Sequence, residues 1–142
     1  MALVCPDDGE ENILKLIVNI SRSTTDHPVL HLYTNDLDPE DASHGVSGED
    51  FDTADFTEAS ATGYAAATLT GSNWTIDKVS GTTSAVYNAT ITFSVTAAMS
   101  AYGIYVTNTS DEILWAERFP AAPYTLPSGG GNISVLPKLE LR

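Results

Sequence analysis

Tyr102-Gly-Ile-Tyr-Val-Thr107, Asn108-Thr-Ser-Asp-Glu112 and Ile113-Leu-Trp-Ala-Glu-Arg-Phe119 together decide the fold. The first and third runs alternate and are rich in β-branched and aromatic residues, which is how a strand presents two faces. The middle run carries Asn, Ser and Asp, whose short side chains bond back to the backbone in turns. The three pieces therefore predict a β-hairpin. Pro120 and Pro123 stop its second strand, because proline donates nothing to a ladder. Gly129-Gly-Gly131 then bends the chain, and Ile133 to Leu141 reads as a closing strand.

Working outward, the same period of two recurs. Leu14, Leu16, Val18 and Ile20 share one face of a first strand, with Lys15 and Asn19 on the other. Val29 to Thr34 follows the Asp26-His27-Pro28 break, Gly63 to Thr70 is an alanine-rich weak strand, and Trp74 to Val79 runs into a Ser80-Gly81 turn. Ala89, Ile91, Phe93 and Val95 against Thr90, Thr92 and Ser94 give the cleanest half-buried pattern. About eight strands at this spacing predict an all-β, jelly-roll-like antiparallel β-sandwich, with Phe93 and Trp115 in its core. The expected organisation is an N-terminal arm over 1–12 and one sandwich domain over 13–142.

Residues 37–61 interrupt the pattern. No Lys or Arg occurs between Thr24 and Ile76, while Asp36, Asp38, Glu40, Asp41, Glu49, Asp50, Asp52, Asp55 and Glu58 crowd together. Thr53 as N-cap could start one helical turn. Leaving Phe51 and Phe56 in water is costly, so the expectation is an ordered acidic excursion that packs both rings on the sandwich or on a neighbouring subunit.

The 142 residues are enough for one core without staples. With 19 acidic and 6 basic residues, the net charge of −13 speaks against nucleic acid and anionic membrane as partners. No apolar run spans a bilayer, and the start lacks a basic-then-apolar leader. Cys5 is the single cysteine, so no intrachain disulfide or cysteine-based zinc site is expected.

Candidate sites each meet a plainer reading. Asp36-Leu-Asp38-Pro-Glu40 begins like a calcium loop, but Asp41 stands where the motif needs Gly and Ser47 where it needs Glu. His27 and His31 lie roughly 13 Å apart if strand-borne, too far for one ion. His44 sits in the acidic excursion, and the three histidines form no zinc pattern. No Gly-x-Ser-x-Gly occurs, and Gly129-Gly-Gly131 lacks the Lys-Ser/Thr of a phosphate loop. Asn19, Asn73, Asn88, Asn108 and Asn132 match glycosylation acceptors and read as turn asparagines. Trp74, Tyr87, Tyr102, Tyr105, Trp115 and Tyr124 could form a sugar platform; Tyr105, out of phase with Ile104 and Val106, is the expected exposed ring. No residue is assigned a catalytic, cofactor-binding or metal role, no cofactor is expected, and the chain reads as a non-enzyme.

Tyr102-Gly-Ile-Tyr-Val, Leu114-Trp-Ala-Glu-Arg-Phe119 and a Gly-rich bend before a strand ending in Lys138-Leu-Glu-Leu resemble small virion proteins of tailed bacteriophages, the kind that decorate or cement capsids. The resemblance covers the C-terminal half best. It implies a virion structural protein, made in the host bacterial cytoplasm and carried on the capsid surface. Its implied partners are the major capsid protein or another virion protein and further copies of itself, as a homotrimer. Met1 to Asn12 and Leu139 to Arg142 are the segments expected to reach a neighbour. The alternative is a tail-fibre, spike or lectin-like module that binds host-surface glycans.

Overall fold

A computed structural model describes residues 26–41, 51–79 and 82–141. The expected first strand, the N-terminal arm, Cys5, His44, Asn19 and the Ser80-Gly81 turn lie outside the described residues. The rest is all-β and antiparallel. In chain order the strands are β1 (Val29–Tyr33), β2 (Ala67–Thr68), β3 (Trp74–Val79), β4 (Thr82–Tyr87), β5 (Ile91–Val95), β6 (Met99–Ala101), β7 (Gly103–Thr107), β8 (Ile113–Arg118), β9 (Tyr124–Leu126), β10 (Gly131–Val135) and β11 (Lys138–Leu141). They form four sheets, ordered β2-β1-β7-β8, β10-β5, β11-β4-β3 and β6-β9. Among the described residues helix is confined to two 3-10 turns, Thr53–Asp55 and Gly71–Asn73.

The hairpin forms as the sequence predicts. β7 pairs β8, and Asn108 holds the turn by accepting from the backbone N–H groups of Ser110 and Glu112 through Oδ1. β1 lies on the other side of β7 in register Leu30↔Val106, His31↔Tyr105, Leu32↔Ile104. All five β7 residues are buried, because this sheet is covered on both faces. On one side Leu30, Leu32, Ile104, Val106 and Trp115 join Phe93, Val95, Met99, Leu126 and Ile133 in the main core. On the other, Tyr33, Tyr105, Ile113 and Ala116 pack under Leu37, Phe51 and Phe56. Tyr105 is therefore buried rather than exposed, because the excursion covers the face that alternation alone assigned to solvent. A register shift between Val106 and Thr107 turns Ile113 to this outer cluster, so it does not share a face with Trp115. Gly103 leaves room for Tyr33: a Cβ there would stand 2.6 Å from its ring and 2.1 Å from the Glu117 carbonyl.

Opposite the main core run β5 and β10, in register Ser94↔Asn132, Phe93↔Ile133, Thr92↔Ser134. Past a bend, the ladder resumes as β6 and β9. Gly130 makes the bend, with φ +78 and its amide donating to the Pro127 carbonyl. Any Cβ there would lie 2.0 Å from the Val95 carbonyl oxygen. The expected closing strand is two, broken at Leu136-Pro137: β10 pairs β5, while β11 pairs β4. β4, β6 and β9 were not expected, and the alanine-rich strand shrinks to Ala67–Thr68. Leu139 to Leu141 pair with Ala85, Ser84 and Thr83, so this segment serves its own chain's sheet.

Candidate functional site

The acidic excursion is fastened by named bonds. Arg118 donates to Asp36 Oδ1 at 2.6 Å and to the Leu37 carbonyl at 2.8 Å, and its guanidinium lies 5.1 Å from the Tyr102 ring centre. The Tyr33 hydroxyl donates to the same carbonyl. Asn35 donates to the Asp55 carbonyl and accepts from the Thr57 amide, tying both ends of the turn. Asp52, not Thr53, caps that turn: it accepts from Ala54 while its own amide donates to Asp55. Phe56 stacks on Tyr105 at 4.8 Å and meets Tyr33 and Phe51 edge-on at 5.1 and 5.7 Å. Phe51 and Phe56 are both buried, as expected, and they pack on the outer face of the central sheet.

His31 sits in a polar cluster that joins β1, β7 and residues 58–64. Its Nδ1 lies 2.9 Å from Glu58 Oε1 and its Nε2 3.2 Å from Thr107 Oγ1, while its ring stacks on Tyr105 at 4.6 Å. The Tyr64 hydroxyl donates to Glu58 and accepts from the Leu32 amide. An acid, an imidazole and a hydroxyl in this order are the chain that activates a nucleophile. Thr107, however, is only 2% exposed, and the cluster's effect in this structure is to fasten residues 57–64 along the outer edge of β1. Nothing along the chain points to it, since Glu58 and Thr107 reach His31 only through tertiary pairing. Burial raises the hydroxyl pKa of Tyr33, Tyr64 and Tyr105, so all three stay neutral, and Tyr33 and Tyr64 act as donors.

The remaining candidates separate. His27 Nδ1 accepts from the Gly71 amide, apart from His31. Among the described residues, no three His, Cys, Asp or Glu converge as a metal site. A shallow groove of about 400 Å³ is lined by Asp38, Glu40, Arg118, Phe119, Pro120 and Ala122, with Arg118 already committed to Asp36. The aromatic set is not one platform. Trp74 meets Tyr87 and Trp115 edge-on at 5.2 and 6.3 Å, Tyr105 is stacked inside, and Tyr124 alone of the six stands 54% exposed. Asn108 holds its turn through its side chain as expected, whereas Asn73 and Asn88 bond to Tyr87 and Thr75 across the β3–β4 pair and Asn132 lies within β10 rather than at a turn.

One surface escaped the sequence reading. No Asp, Glu, Lys, Arg or His occurs between Lys78 and Asp111, or between Arg118 and Lys138. These two segments supply β5, β6, β9 and β10. Phe93, Val95 and Ile133 point to the core, leaving Thr92, Ser94, Asn132 and Ser134 exposed on the outward face. Thr92 and Ser134 bond across the ladder at 3.0 Å, and Ser100 and Thr125 repeat the pairing beyond the bend at 3.1 Å. Leu136, 55% exposed, flanks the strip. The layers therefore run from acidic excursion through the central sheet and main core to an uncharged hydroxyl face. The charge-free spacing was visible in the sequence; that both segments meet in one ladder was not.

Compared with protein-family models, curated proteins and solved structures, the chain matches none. No helix of the described residues is long and apolar enough to cross a membrane.

Proposed function

We propose that this protein is a structural component of a bacteriophage virion, a decoration or cement protein that stabilises a capsid through subunit contacts. The observation that carries the reading is the segregation of charge: an acidic excursion covers one side of the layered molecule, and the opposite strands carry no charge at all. A protein of net charge −13 approaches another protein most cheaply through a surface with no acids to desolvate. Exposed Tyr124 and Leu136 lie in the same uncharged segment and add apolar area to such a footprint. The strand phrasing that resembles small phage virion proteins, a jelly-roll-like sandwich and a homo-oligomer on the capsid surface belong to this proposal. The excursion then faces solvent, where its carboxylates stay hydrated.

Binding of the purified protein to assembled capsids, followed as ionic strength rises, tests it. A neutral, partly apolar footprint holds its affinity with salt, and Tyr124→Asp or Leu136→Asp weakens it. Affinity that collapses with salt, or no capsid binding at all, would overturn the reading.

A further inference from the structure

We infer that the outward face of β5 and β10, centred on Thr92, Ser94, Asn132 and Ser134, is a contact between two copies of this chain. The inference narrows the assembly reading by assigning the β5/β10 strip to a second copy and leaving the neighbouring uncharged segment around Tyr124 to the capsid, and it takes only its biological setting from that reading.

Three observations support a second copy as occupant. The first is electrostatic. Face-to-face pairing puts the two acidic excursions at opposite ends of the pair, about 40–50 Å apart at roughly 10 Å per layer. The Debye length is only about 8 Å at physiological salt, so their repulsion is screened out. Pairing by the excursion side would instead oppose Asp36, Asp38, Asp52 and Asp55 to their own copies. The second is chemical. Thr and Ser hydroxyls both donate and accept, and the Asn132 amide does too, so a two-fold axis lets the face satisfy itself. A carboxylate or ammonium face could not do this. The third is geometric. β5 and β10 form a regular ladder in continuous register, and their exposed side chains are all short, so the strip has no projecting bulk between Thr92 and Ser134.

The size of the strip sets the strength. Five paired positions give a patch roughly 17 Å long and 10 Å wide, well below the roughly 800 Å² per partner of a stable dimer. Even with the Ser100/Thr125 pair, the contact is weak in dilute solution. It becomes effective when copies are held side by side on a scaffold, where local concentration reaches about millimolar. A weak seam of this kind suits a protein that should associate on a particle and stay dispersed elsewhere.

Sedimentation equilibrium of the full chain, loaded from about 10 μM to about 1 mM, tests the inference. The expected result is a monomer–dimer equilibrium that does not weaken as salt rises. Ser94→Glu with Asn132→Glu brings like charges together across the axis and should weaken dimerisation by at least about a hundredfold. Thr57→Glu adds an acidic side chain at an exposed position beside Thr34, next to β1 in the central sheet, and should leave the dimer intact. Circular dichroism checks that both variants keep their strands. A chain that stays monomeric throughout, or an oligomer of any size indifferent to Ser94→Glu with Asn132→Glu, overturns the seam. Capsid binding measured on the same variants keeps the two ideas apart. Capsid binding without self-association sinks the seam alone, and self-association without capsid binding sinks the virion reading alone.

Discussion

Truncating Phe56 should unfold the protein far more easily than loss of a surface-loop residue would. Phe56 is buried, stacks on Tyr105 at 4.8 Å and meets Tyr33 edge-on at 5.1 Å. Removing a buried phenylalanine costs about 3–5 kcal/mol from lost transfer energy and the cavity left behind. The two ring pairs contribute about 0.5–1.5 kcal/mol each within that range. The site lies under the excursion and can partly collapse, so Phe56→Ala should cost about 3–4 kcal/mol. At roughly 3 °C per kcal/mol for a domain of this size, the melting midpoint should fall by about 10 °C. Urea unfolding followed by tryptophan fluorescence reads the effect at Trp74 and Trp115, both on the far side of the central sheet from Phe56. The midpoint should drop with the slope unchanged, because excursion and core unfold as one unit. A loss below about 1 kcal/mol, with the tryptophan transition unmoved, would refute the claim that the excursion is the second wall of the central sheet.

Two further outcomes follow from single positions. Gly130→Ala forces a left-handed residue and a Cβ 2.0 Å from the Val95 carbonyl, and should cost more than about 2 kcal/mol. Gly129→Ala, where a Cβ meets nothing within 4 Å, should stay within about 0.5 kcal/mol of the parent, and equal thermal melts for the two would disprove the bend. Glu117 has its pKa raised by burial, with the negative charge of Glu40 adding to it, so the folded state binds its proton more tightly than the unfolded chain does. Its contribution to stability therefore falls as pH rises from the unfolded value near 4.5 through the raised folded value. Glu117→Gln should stabilise the protein at pH 7 and lose that advantage below about pH 4.5, and a benefit independent of pH in denaturant titrations would contradict the assignment.

The strands that hold the core were legible because each carries its own pattern. β5, β7 and β8 alternate or carry β-branched and aromatic residues, and Asn108 announces the turn between two of them. β4, β6 and β9 were missed for physical reasons. Thr82 to Tyr87 has no apolar alternation, although it pairs with the preceding strand; Met99 to Ala101 and Tyr124 to Leu126 are three residues long and take their register from each other across more than twenty residues of sequence. Tyr105 was misplaced because a period of two says which residues share a face, not which face meets solvent. Only the return of Phe51 and Phe56 over the sheet decides that. The same return hides the His31 cluster, since Glu58 and Thr107 stand 27 and 76 residues from His31. The hydroxyl face lay half in view: two uncharged stretches could be read along the chain, but not the ladder that joins them.

The central claim, that this is a virion structural protein working through subunit contacts, is tested most directly by electron cryomicroscopy of intact particles from the source that encodes the chain. The account predicts ordered density for many copies on the capsid surface, with the β5/β10 side turned towards neighbouring subunits and the acidic excursion towards solvent. Particles that lack the protein, or that carry it only at a tail tip in contact with a glycan, would contradict the account.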